Sequence, residues 1–391
     1  MKKYFILTLG CQMNVSDSQR IATKLESVGY KSASEKEADL VIVNACSVRQ
    51  KAVDRIWGGI KNWSRDGKKI LITGCVLPSD KKKFFDRNVK FFDIKNLKNI
   101  INFIDKYSFI LENKRISSKS SLDYFHIEPK QNSKVAYIPI MTGCDNFCSY
   151  CAVPYTRGRE VSRPMDDIMA EVKDAIKNNT KEIWLLGQNV NSYGIKSKHG
   201  HSEPPAGSEE SPANAGSHIR ERTFINIQDD TINNKDFIKL LKEIDNLPGN
   251  FKFNFMSSNP HDMSDEIIKT FSELKKWPRE LHLAMQSGDD EILKKMNRKC
   301  TSTQFLTLIK KLKEKIPTII IGTDIIVGFP GETKTQFNNT VKICKKIGFE
   351  KAYAAQYSPR PGTVSAKMED NVSAEEKKRR WLVLDKLINN P

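Results

Sequence analysis

Three cysteines lie close together in the run Cys144-Asp-Asn-Phe-Cys148-Ser-Tyr-Cys151. Cysteine thiolates are the usual ligands of 4Fe-4S clusters. Three thiolates bind three irons and leave the fourth iron open to a small molecule, whereas a structural zinc site takes four protein ligands. The spacing CxxxCxxC therefore predicts an iron–sulfur cluster with one open iron, held by Cys144, Cys148 and Cys151.

A cluster with one open iron can bind the amino and carboxylate groups of S-adenosylmethionine, and an electron then breaks a C–S bond to release a 5′-deoxyadenosyl radical. The protein must orient the cofactor and exclude water. Polar residues follow or lie within several predicted strands of the second half of the chain. Those that we predict to bind the cofactor are Gln188, Asn189, Ser257, Gln286, Ser287 and Asp324.

The first third of the sequence alternates apolar runs with segments of helical periodicity. Predicted strands cover 5–9, 39–44 and 69–73, and predicted helices cover 16–28 and 48–63. Continuous Val, Ile and Leu runs separated by helices indicate a parallel sheet that is covered on both faces. This part of the chain is therefore predicted to be an α/β domain.

A cysteine follows each of these strands, namely Cys11, Cys46 and Cys75. Open α/β sheets bind their ligands at the carboxyl ends of the strands, which meet at one edge. Free cysteines are often buried for packing alone, but the same placement after three strands favours a common role. We therefore predict a second cluster site at Cys11, Cys46 and Cys75.

A second βα series begins at residue 135, after a polar stretch at 113–134 that we interpret as a linker. Six strands separated by amphipathic helical segments predict an incomplete (βα)6 barrel, with its active site at the strand C-termini. A low-complexity stretch at 196–234 is predicted to be a surface insertion. The predicted domains are an α/β domain at 1–112, the partial barrel at 135–372 and a C-terminal helix at 373–391. The predicted barrel strands are 135–141, 182–186, 251–256, 281–285, 318–327 and 351–357.

The chain is strongly basic. Lysine and arginine exceed aspartate and glutamate by 64 − 47, a formal net charge of +17. Such a surplus favours a polyanionic partner such as RNA, although a solvated lysine-rich surface would give the same balance. The arginines that we predict to contact RNA or substrate are Arg157, Arg159, Arg163 and Arg360.

Neither a membrane span nor a signal peptide is evident in the 391 residues. The longest apolar stretches are too short to cross a bilayer, and the first ten residues read as a strand rather than as a leader. We therefore expect a cytoplasmic protein with no membrane partner. In that reducing compartment its eight cysteines are expected to be metal ligands or catalytic thiols rather than disulfides.

CxxxCxxC after a strand resembles the radical S-adenosylmethionine superfamily. The runs Thr8-Leu-Gly-Cys11-Gln-Met-Asn14, Asn44-Ala-Cys46-Ser and Thr73-Gly-Cys75 are similar to the amino-terminal domain of the methylthiotransferases within it. Pro154-Tyr-Thr-Arg-Gly-Arg-Glu-Val-Ser-Arg-Pro164 and Leu185-Leu-Gly-Gln-Asn-Val-Asn-Ser-Tyr-Gly194 extend the similarity over nearly the whole chain outside the insertion. The residues after Cys11 most resemble those of the tRNA enzymes that modify N6-isopentenyladenosine next to the anticodon.

The resemblance implies a mechanism with two 4Fe-4S clusters. Cys144, Cys148 and Cys151 would hold the radical-generating cluster, and the Cys11, Cys46 and Cys75 trio would hold an auxiliary cluster that supplies or carries sulfur. One S-adenosylmethionine would methylate sulfur and a second would generate the radical that removes hydrogen from adenine C2. The implied partners are the anticodon stem-loop of tRNA and an electron donor such as flavodoxin or ferredoxin; the sulfur source is left open.

The sequence departs from the family pattern in three places. Its last predicted element is the helix at 373–391, and the family's usual small β-rich RNA-binding domain has no counterpart in it. The insertion at 196–234 is unusual, and Asn259 and Cys300 replace a histidine and an aromatic residue that are common in relatives. These departures keep three alternatives open: a methylthiotransferase for threonylcarbamoyladenosine or a ribosomal protein, a zinc-stabilised RNA-binding protein, and an inactive paralogue.

Overall fold

The computed structural model places the chain in two compact units. The first unit comprises residues 1–143 and 152–186, and the second comprises 144–151 and 187–391. The insertion at 196–234, except for Asn234, and most of the linker at 113–134 lie outside the described residues, and the predicted domain boundaries stay a prediction. The residues that the structure describes are 2–47, 50–84, 89–105, 123–127, 129, 134–195 and 234–389.

A five-stranded parallel sheet forms the centre of the first unit, in the order β2-β1-β3-β4-β5. Its middle strand is buried along its whole length, as expected for a strand covered on both faces. The prediction of a parallel sheet here is confirmed. The strands are β1 (Lys3–Thr8), β2 (Lys31–Ser32), β3 (Leu40–Cys46), β4 (Lys69–Cys75) and β5 (Val89–Phe91).

Two long helices cover the two faces of this sheet. Helix α1 (Gln12–Glu26) packs in one core with Leu40 and Ile42 of β3, and helix α2 (Gln50–Arg65) packs in the other core with the alternate residues of that strand. Successive side chains of a strand point to opposite faces, so one apolar run supplies both cores. Both helices were predicted, at 16–28 and 48–63, and each start differs from the observed one by a few residues. The first two positions of the second predicted helix, 48 and 49, lie outside the described residues.

The first unit continues with shorter elements beyond the sheet. Strand β6 (Val135–Pro139) pairs in parallel with β9 (Glu182–Leu186), as predicted, and β7 (Met141–Thr142) pairs with β8 (Val161–Ser162) as a small antiparallel ribbon. These strands bring the segment around Arg157 and Arg163 into the first unit. The helices are α3 (Pro78–Lys83), α4 (Ile100–Asp105), α5 (Val153–Thr156) and α6 (Met165–Lys177).

A buried ionic group joins α1 to α6 within this unit. Glu171 accepts hydrogen bonds from Arg20 at 2.6 Å and from Arg163 at 2.5 Å, and all three side chains are almost fully buried. Both guanidinium groups lie against the ring of Phe125. Since an unpaired buried charge is costly, this arrangement fixes how the two helices pack together.

Strands alternate with helices in the second unit, as the sequence predicts. Strands β11, β12 and β13 form a parallel sheet. Capping boxes begin α10 at Thr301 and α11 at Thr333, where the side chain satisfies backbone N–H groups that the helix leaves open. The strands are β10 (Lys252–Phe255), β11 (Glu280–His282), β12 (Ile320–Val327) and β13 (Lys351–Gln356). The helices are α7 (Lys235–Asn246), α8 (Asp265–Glu273), α9 (Asp290–Lys295), α10 (Ser302–Lys315), α11 (Lys334–Ile347) and α12 (Ala374–Ile388).

Within the described ranges, none of these helices combines the length and the apolar character that crossing a membrane requires.

Candidate metal centres

Cys11, Cys46 and Cys75 meet at one edge of the first unit's sheet. Cys46 and Cys75 are the last residues of β3 and β4 and face each other in register, while Cys11 directly precedes α1. Gly10 allows the close approach, since a Cβ there would lie 3.0 Å from the Cβ of Cys46 and its φ is +124°. Cys46 and Cys75 are buried and Cys11 is exposed, so this edge is open to solvent on one side.

Arg157 supplies the positive charge of this edge. Its Nε donates a hydrogen bond to the Sγ of Cys75 at 3.0 Å, and its Nη2 donates to Asp17 Oδ2 at 2.9 Å. The side chain is buried, and Lys95 holds the backbone carbonyl of Arg157 at 3.0 Å. Burial raises the pKa of the Cys75 thiol, and the neighbouring guanidinium opposes that rise. The arrangement suits an anionic sulfur at Cys75.

Two asparagines tie the start of α1 to the end of β3 beside these cysteines. Asn14 Nδ2 donates to Asn44 Oδ1 and to the carbonyl of Ala45, both at 2.9 Å, and Asn44 Nδ2 donates back to the carbonyl of Asn14 at 2.7 Å. Gly74, at φ +88°, passes so close that a Cβ would collide with Asn44 and Ala45. A reciprocal buried amide pair of this kind leaves the cysteine-bearing backbone little freedom to move.

The second trio lies on one loop of the second unit. Cys144 is buried and accepts a hydrogen bond from Asn146 Nδ2 at 3.6 Å, while Cys148 and Cys151 are partly exposed. The loop turns at Phe147, whose φ is +47°. An L-residue rarely adopts that conformation without external support, and Asn297 Nδ2 donates to the carbonyl of Phe147 at 2.9 Å.

The end of α9 holds this loop in place. Ser149 donates its backbone N–H to the carbonyl of Met296 at 3.0 Å and its hydroxyl to the carbonyl of Lys295 at 2.8 Å. Ser149 in turn accepts a bond from the N–H of Ser365 at 2.8 Å. Three thiols on a loop fixed in this way fit the predicted donor set for a cluster with one open iron.

Arg298 has the same relation to this trio that Arg157 has to the first. Its Nη1 donates to the Sγ of Cys148 at 3.6 Å, and its Nη2 donates to the carbonyl of Ala284 at 2.7 Å and to Asn259 Oδ1 at 3.1 Å. The side chain is buried. Arg298 was not predicted, because no local pattern marks it. Asn259, which departs from the family pattern, proves to be a partner of this arginine.

Three of the residues predicted to bind the cofactor gather around His282. Its Nε2 lies 3.2 Å from Asp324 Oδ1, and its Nδ1 accepts the backbone N–H of Ser257 at 3.4 Å. Gln286 donates its N–H to the carbonyl of Asp324 at 2.8 Å. Ser257 and Gln286 both have positive φ values, +67° and +73°, and such strained backbones cluster at ligand sites. His282 was missed, although it lies within a predicted strand.

The other three residues predicted to bind the cofactor are placed separately. Asn189 donates to Asp262 Oδ2 at 2.7 Å, and Ser287 is fully buried with its hydroxyl 3.4 Å from Thr340 Oγ1. Gln188 is partly buried, and its Oε1 accepts no hydrogen bond from the described residues. Asn189 Oδ1 likewise accepts no hydrogen bond from these residues, so Gln188 and Asn189 each leave an acceptor for a ligand.

The four predicted arginines differ in exposure. Arg157 and Arg163 are buried against Asp17 and Glu171, and Arg360 is also buried, with its carbonyl bonded to Thr363. Arg159 is exposed. Burial indicates a structural role for the first three, whereas Arg159 is exposed to solvent; the role of each stays a prediction.

In the described ranges, no three His, Cys, Asp or Glu side chains close around a single metal ion. All eight cysteines lie in these ranges, and none forms a disulfide. The assignment of the two trios therefore depends on the chemistry of the donor set and on the arginine that each trio contacts.

Comparison with known proteins identifies the family. Residues 138–344 match the model of the radical SAM superfamily, and residues 3–93 match the model described as uncharacterized protein family UPF0004. The tRNA-2-methylthio-N(6)-dimethylallyladenosine synthase of Clostridium botulinum is 36% identical over 99% of this chain and 81% of its own. That of Thermosipho africanus is 38% identical, over 99% and 84%.

Solved structures show the same fold. A radical S-adenosylmethionine methyltransferase from Kitasatospora setae, with cobalamin and a 4Fe-4S cluster bound, superposes with a TM-score of 0.57 at 13% identity, covering 94% of this chain and 77% of that one. The predicted fold class, an N-terminal parallel sheet followed by a radical-SAM-like α/β part, is confirmed.

The chain thus belongs to the radical S-adenosylmethionine superfamily of enzymes and, within it, to the methylthiotransferase family of these synthases. Membership implies S-adenosylmethionine and a 4Fe-4S cluster as cofactors.

Proposed function

We propose that this enzyme converts N6-isopentenyladenosine next to the anticodon of tRNA to its 2-methylthio derivative. The observation that carries the proposal is the similarity to synthases named for this product, which extends over 99% of the chain. Both cysteine trios that the chemistry requires lie inside the matched length.

Cys144, Cys148 and Cys151 would hold the radical-generating cluster. When bound, that cluster supplies an open iron for the methionine part of S-adenosylmethionine and the electron that cleaves the cofactor. The chain's own residues fix the loop and donate hydrogen bonds to its sulfurs. Asn146 donates to Cys144, and Arg298 donates to Cys148. Such hydrogen bonds are among the factors that set the potential of a cluster.

The polar edge around His282 is the proposed binding surface for S-adenosylmethionine. Asp324 can accept hydrogen bonds from an ammonium or a ribose hydroxyl, and its position is fixed by the 3.2 Å contact with His282. Ser257 and Gln286 join the same edge through their backbones. Gln188, Asn189 and Ser287 are proposed to complete the cofactor site.

Cys11, Cys46 and Cys75 would hold the auxiliary cluster. The exposed Cys11 leaves one side of that site open to a sulfur source or substrate, while Arg157 and Asp17 are buried on the other side. Because Arg157 donates to the sulfur of Cys75, its charge offsets that of an anionic ligand there.

A tRNA substrate agrees with the net charge of +17. It would place the enzyme in the cytoplasm, with flavodoxin or ferredoxin as the proposed electron donor. A stacked purine in an anticodon loop is the kind of single-stranded target that proteins read with aromatic and arginine side chains. Arg159 is the exposed candidate among the predicted arginines.

Mass spectrometry of tRNA nucleosides tests the substrate. A bacterial strain that lacks its own isopentenyladenosine methylthiotransferase would be complemented with this chain or with its Cys144→Ala variant. We expect the 2-methylthio nucleoside to return with the wild type and not with the variant. Restored methylthiolation of threonylcarbamoyladenosine, or no change in any nucleoside, would show that the substrate is a different one.

A further inference from the structure

Helix α2 presents an exposed tryptophan that the catalytic sites do not use. Trp57 is 41% exposed, whereas Trp63, two turns further along, is 3% exposed and packs in the core. Large aromatic residues on a helix normally turn toward the core. Lys61, one turn after Trp57, lies with its Nζ 5.2 Å from the centre of the indole ring.

Basic residues line the exposed side of α2 that Trp57 borders, and Lys61 and Arg65, four and eight residues after Trp57, lie on the same side of the helix as its ring. The apolar face of α2, formed by Val53, Ile56, Ile60 and Trp63, is buried, and the opposite face is exposed to solvent. Within α2 that exposed face has one acidic residue, Asp54, which accepts a hydrogen bond from Gln50 at 2.8 Å. The exposed basic residues of α2 are Lys51, Arg55, Lys61 and Arg65.

Gly58 distinguishes this face from an ordinary solvated one. Two glycines follow Trp57, and a Cβ on Gly59 would collide with the Trp63 ring, so packing explains that one. A Cβ on Gly58 would meet nothing within 4 Å. Glycine is a much poorer helix former than alanine, so Gly58 weakens the helix with no packing gain while keeping the surface beside Trp57 clear.

We propose that the α2 face formed by Trp57, Gly58, Lys61 and Arg65 is a docking surface for single-stranded RNA of the tRNA substrate. The indole offers a flat ring on which an unpaired base can stack, and Lys61 and Arg65 contact the flanking phosphates. Charge complementarity favours RNA over an uncharged partner, and a bare aromatic favours unpaired bases over a duplex. The inference rests on the proposed function, since it assumes a tRNA substrate.

The test is RNA affinity, measured by fluorescence anisotropy with an anticodon stem-loop and the full-length, cluster-reconstituted enzyme. Trp57→Ala should weaken binding on the order of tenfold, and Trp57→Phe should retain most of the affinity because it keeps a ring. Leu382→Ala, which removes another exposed large side chain on α12, is the matched control and should bind like the wild type. Circular dichroism would confirm that every variant is folded.

The charge contribution is measured with a salt series. Lys61→Gln should reduce the steepness of the log–log salt dependence by about 0.7, the value for one phosphate contact on a single strand. Lys345→Gln, an exposed lysine of α11, should leave the slope unchanged.

The results separate this inference from the proposed function. If the wild type modifies and binds the stem-loop but Trp57→Ala binds it equally well, the docking surface is wrong and the function stands. A Trp57→Ala variant that keeps its RNA affinity but is reduced more slowly by flavodoxin would assign the face to a protein partner and overturn the proposal. A wild type with no affinity for the stem-loop would overturn both.

Discussion

Each cysteine trio includes a sulfur that accepts a hydrogen bond from a buried arginine. Arg157 donates to Cys75 at 3.0 Å in the first unit, and Arg298 donates to Cys148 at 3.6 Å in the second. Each guanidinium is also bonded to a second group, Asp17 or Asn259, which orients it. At the two proposed cluster sites, a fixed positive charge beside an anionic cysteine sulfur would stabilise the cluster-bound form.

The pair of Arg157 and Asp17 gives a stability prediction. Arg157→Met should lower the free energy of unfolding by about 3–5 kcal/mol, because it leaves the fully buried Asp17 carboxylate unpaired. Adding Asp17→Asn should recover part of the loss. Arg159→Ala, at an exposed position two residues away, should change stability by less than about 0.5 kcal/mol. Urea unfolding of the reduced, iron-free variants measures all three, and equal stability of the Arg157 and Arg159 variants would contradict the assignment.

Single residues were predictable where the signal is local. The spacing of Cys144, Cys148 and Cys151 is itself the signal, and the positions of Cys11, Cys46 and Cys75 follow from strand ends. Arg298 and His282 contact their partners only through tertiary packing, so nothing near them in sequence marks their role. Arg157 was singled out as a substrate contact, and its bond to Cys75, which is 82 positions away in the chain, is not encoded in any local motif.

The elements follow from apolar periodicity and from the residues that begin and end them. The predicted strand at 182–186 agrees with β9 at both ends, and α11 is one of the amphipathic helices that the sequence places between the barrel strands. Thr333 caps the helix, and its C-terminal Gly348 has φ +66°. The start of α1 was less accurate, because Cys11 precedes it without a side-chain cap.

Helix α2 offers a matched pair of glycine substitutions. Gly58→Ala should raise the free energy of unfolding by about 0.5–1 kcal/mol, because alanine is the better helix former and the site is open. Gly59→Ala should lower it, because the new Cβ would collide with the buried ring of Trp63. Thermal and urea unfolding of both variants measure the difference. Stabilisation by Gly59→Ala would show that the packing of Trp63 has been misassigned, and a destabilising Gly58→Ala would show that the site is not open.

At the scale of the whole molecule, the two cysteine trios belong to different compact units. The proposed function therefore predicts two separable 4Fe-4S clusters. Changing Cys144, Cys148 and Cys151 together to alanine should remove about half of the iron of the reconstituted protein, and so should the same change of the other trio. Iron and acid-labile sulfide analysis measures this after anaerobic reconstitution. A colourless preparation with zinc instead of iron would support the alternative of a zinc-stabilised RNA-binding protein.

The most direct test is the reaction of the purified enzyme with an isopentenylated anticodon stem-loop, S-adenosylmethionine and a reductant. Mass spectrometry would quantify 5′-deoxyadenosine and 2-methylthio product for the wild type and for each triple-alanine variant. We predict both products from the wild type, neither from the Cys144, Cys148 and Cys151 variant, and 5′-deoxyadenosine without methylthio product from the Cys11, Cys46 and Cys75 variant. Methylthio product from either variant, or none from the wild type, would contradict the account.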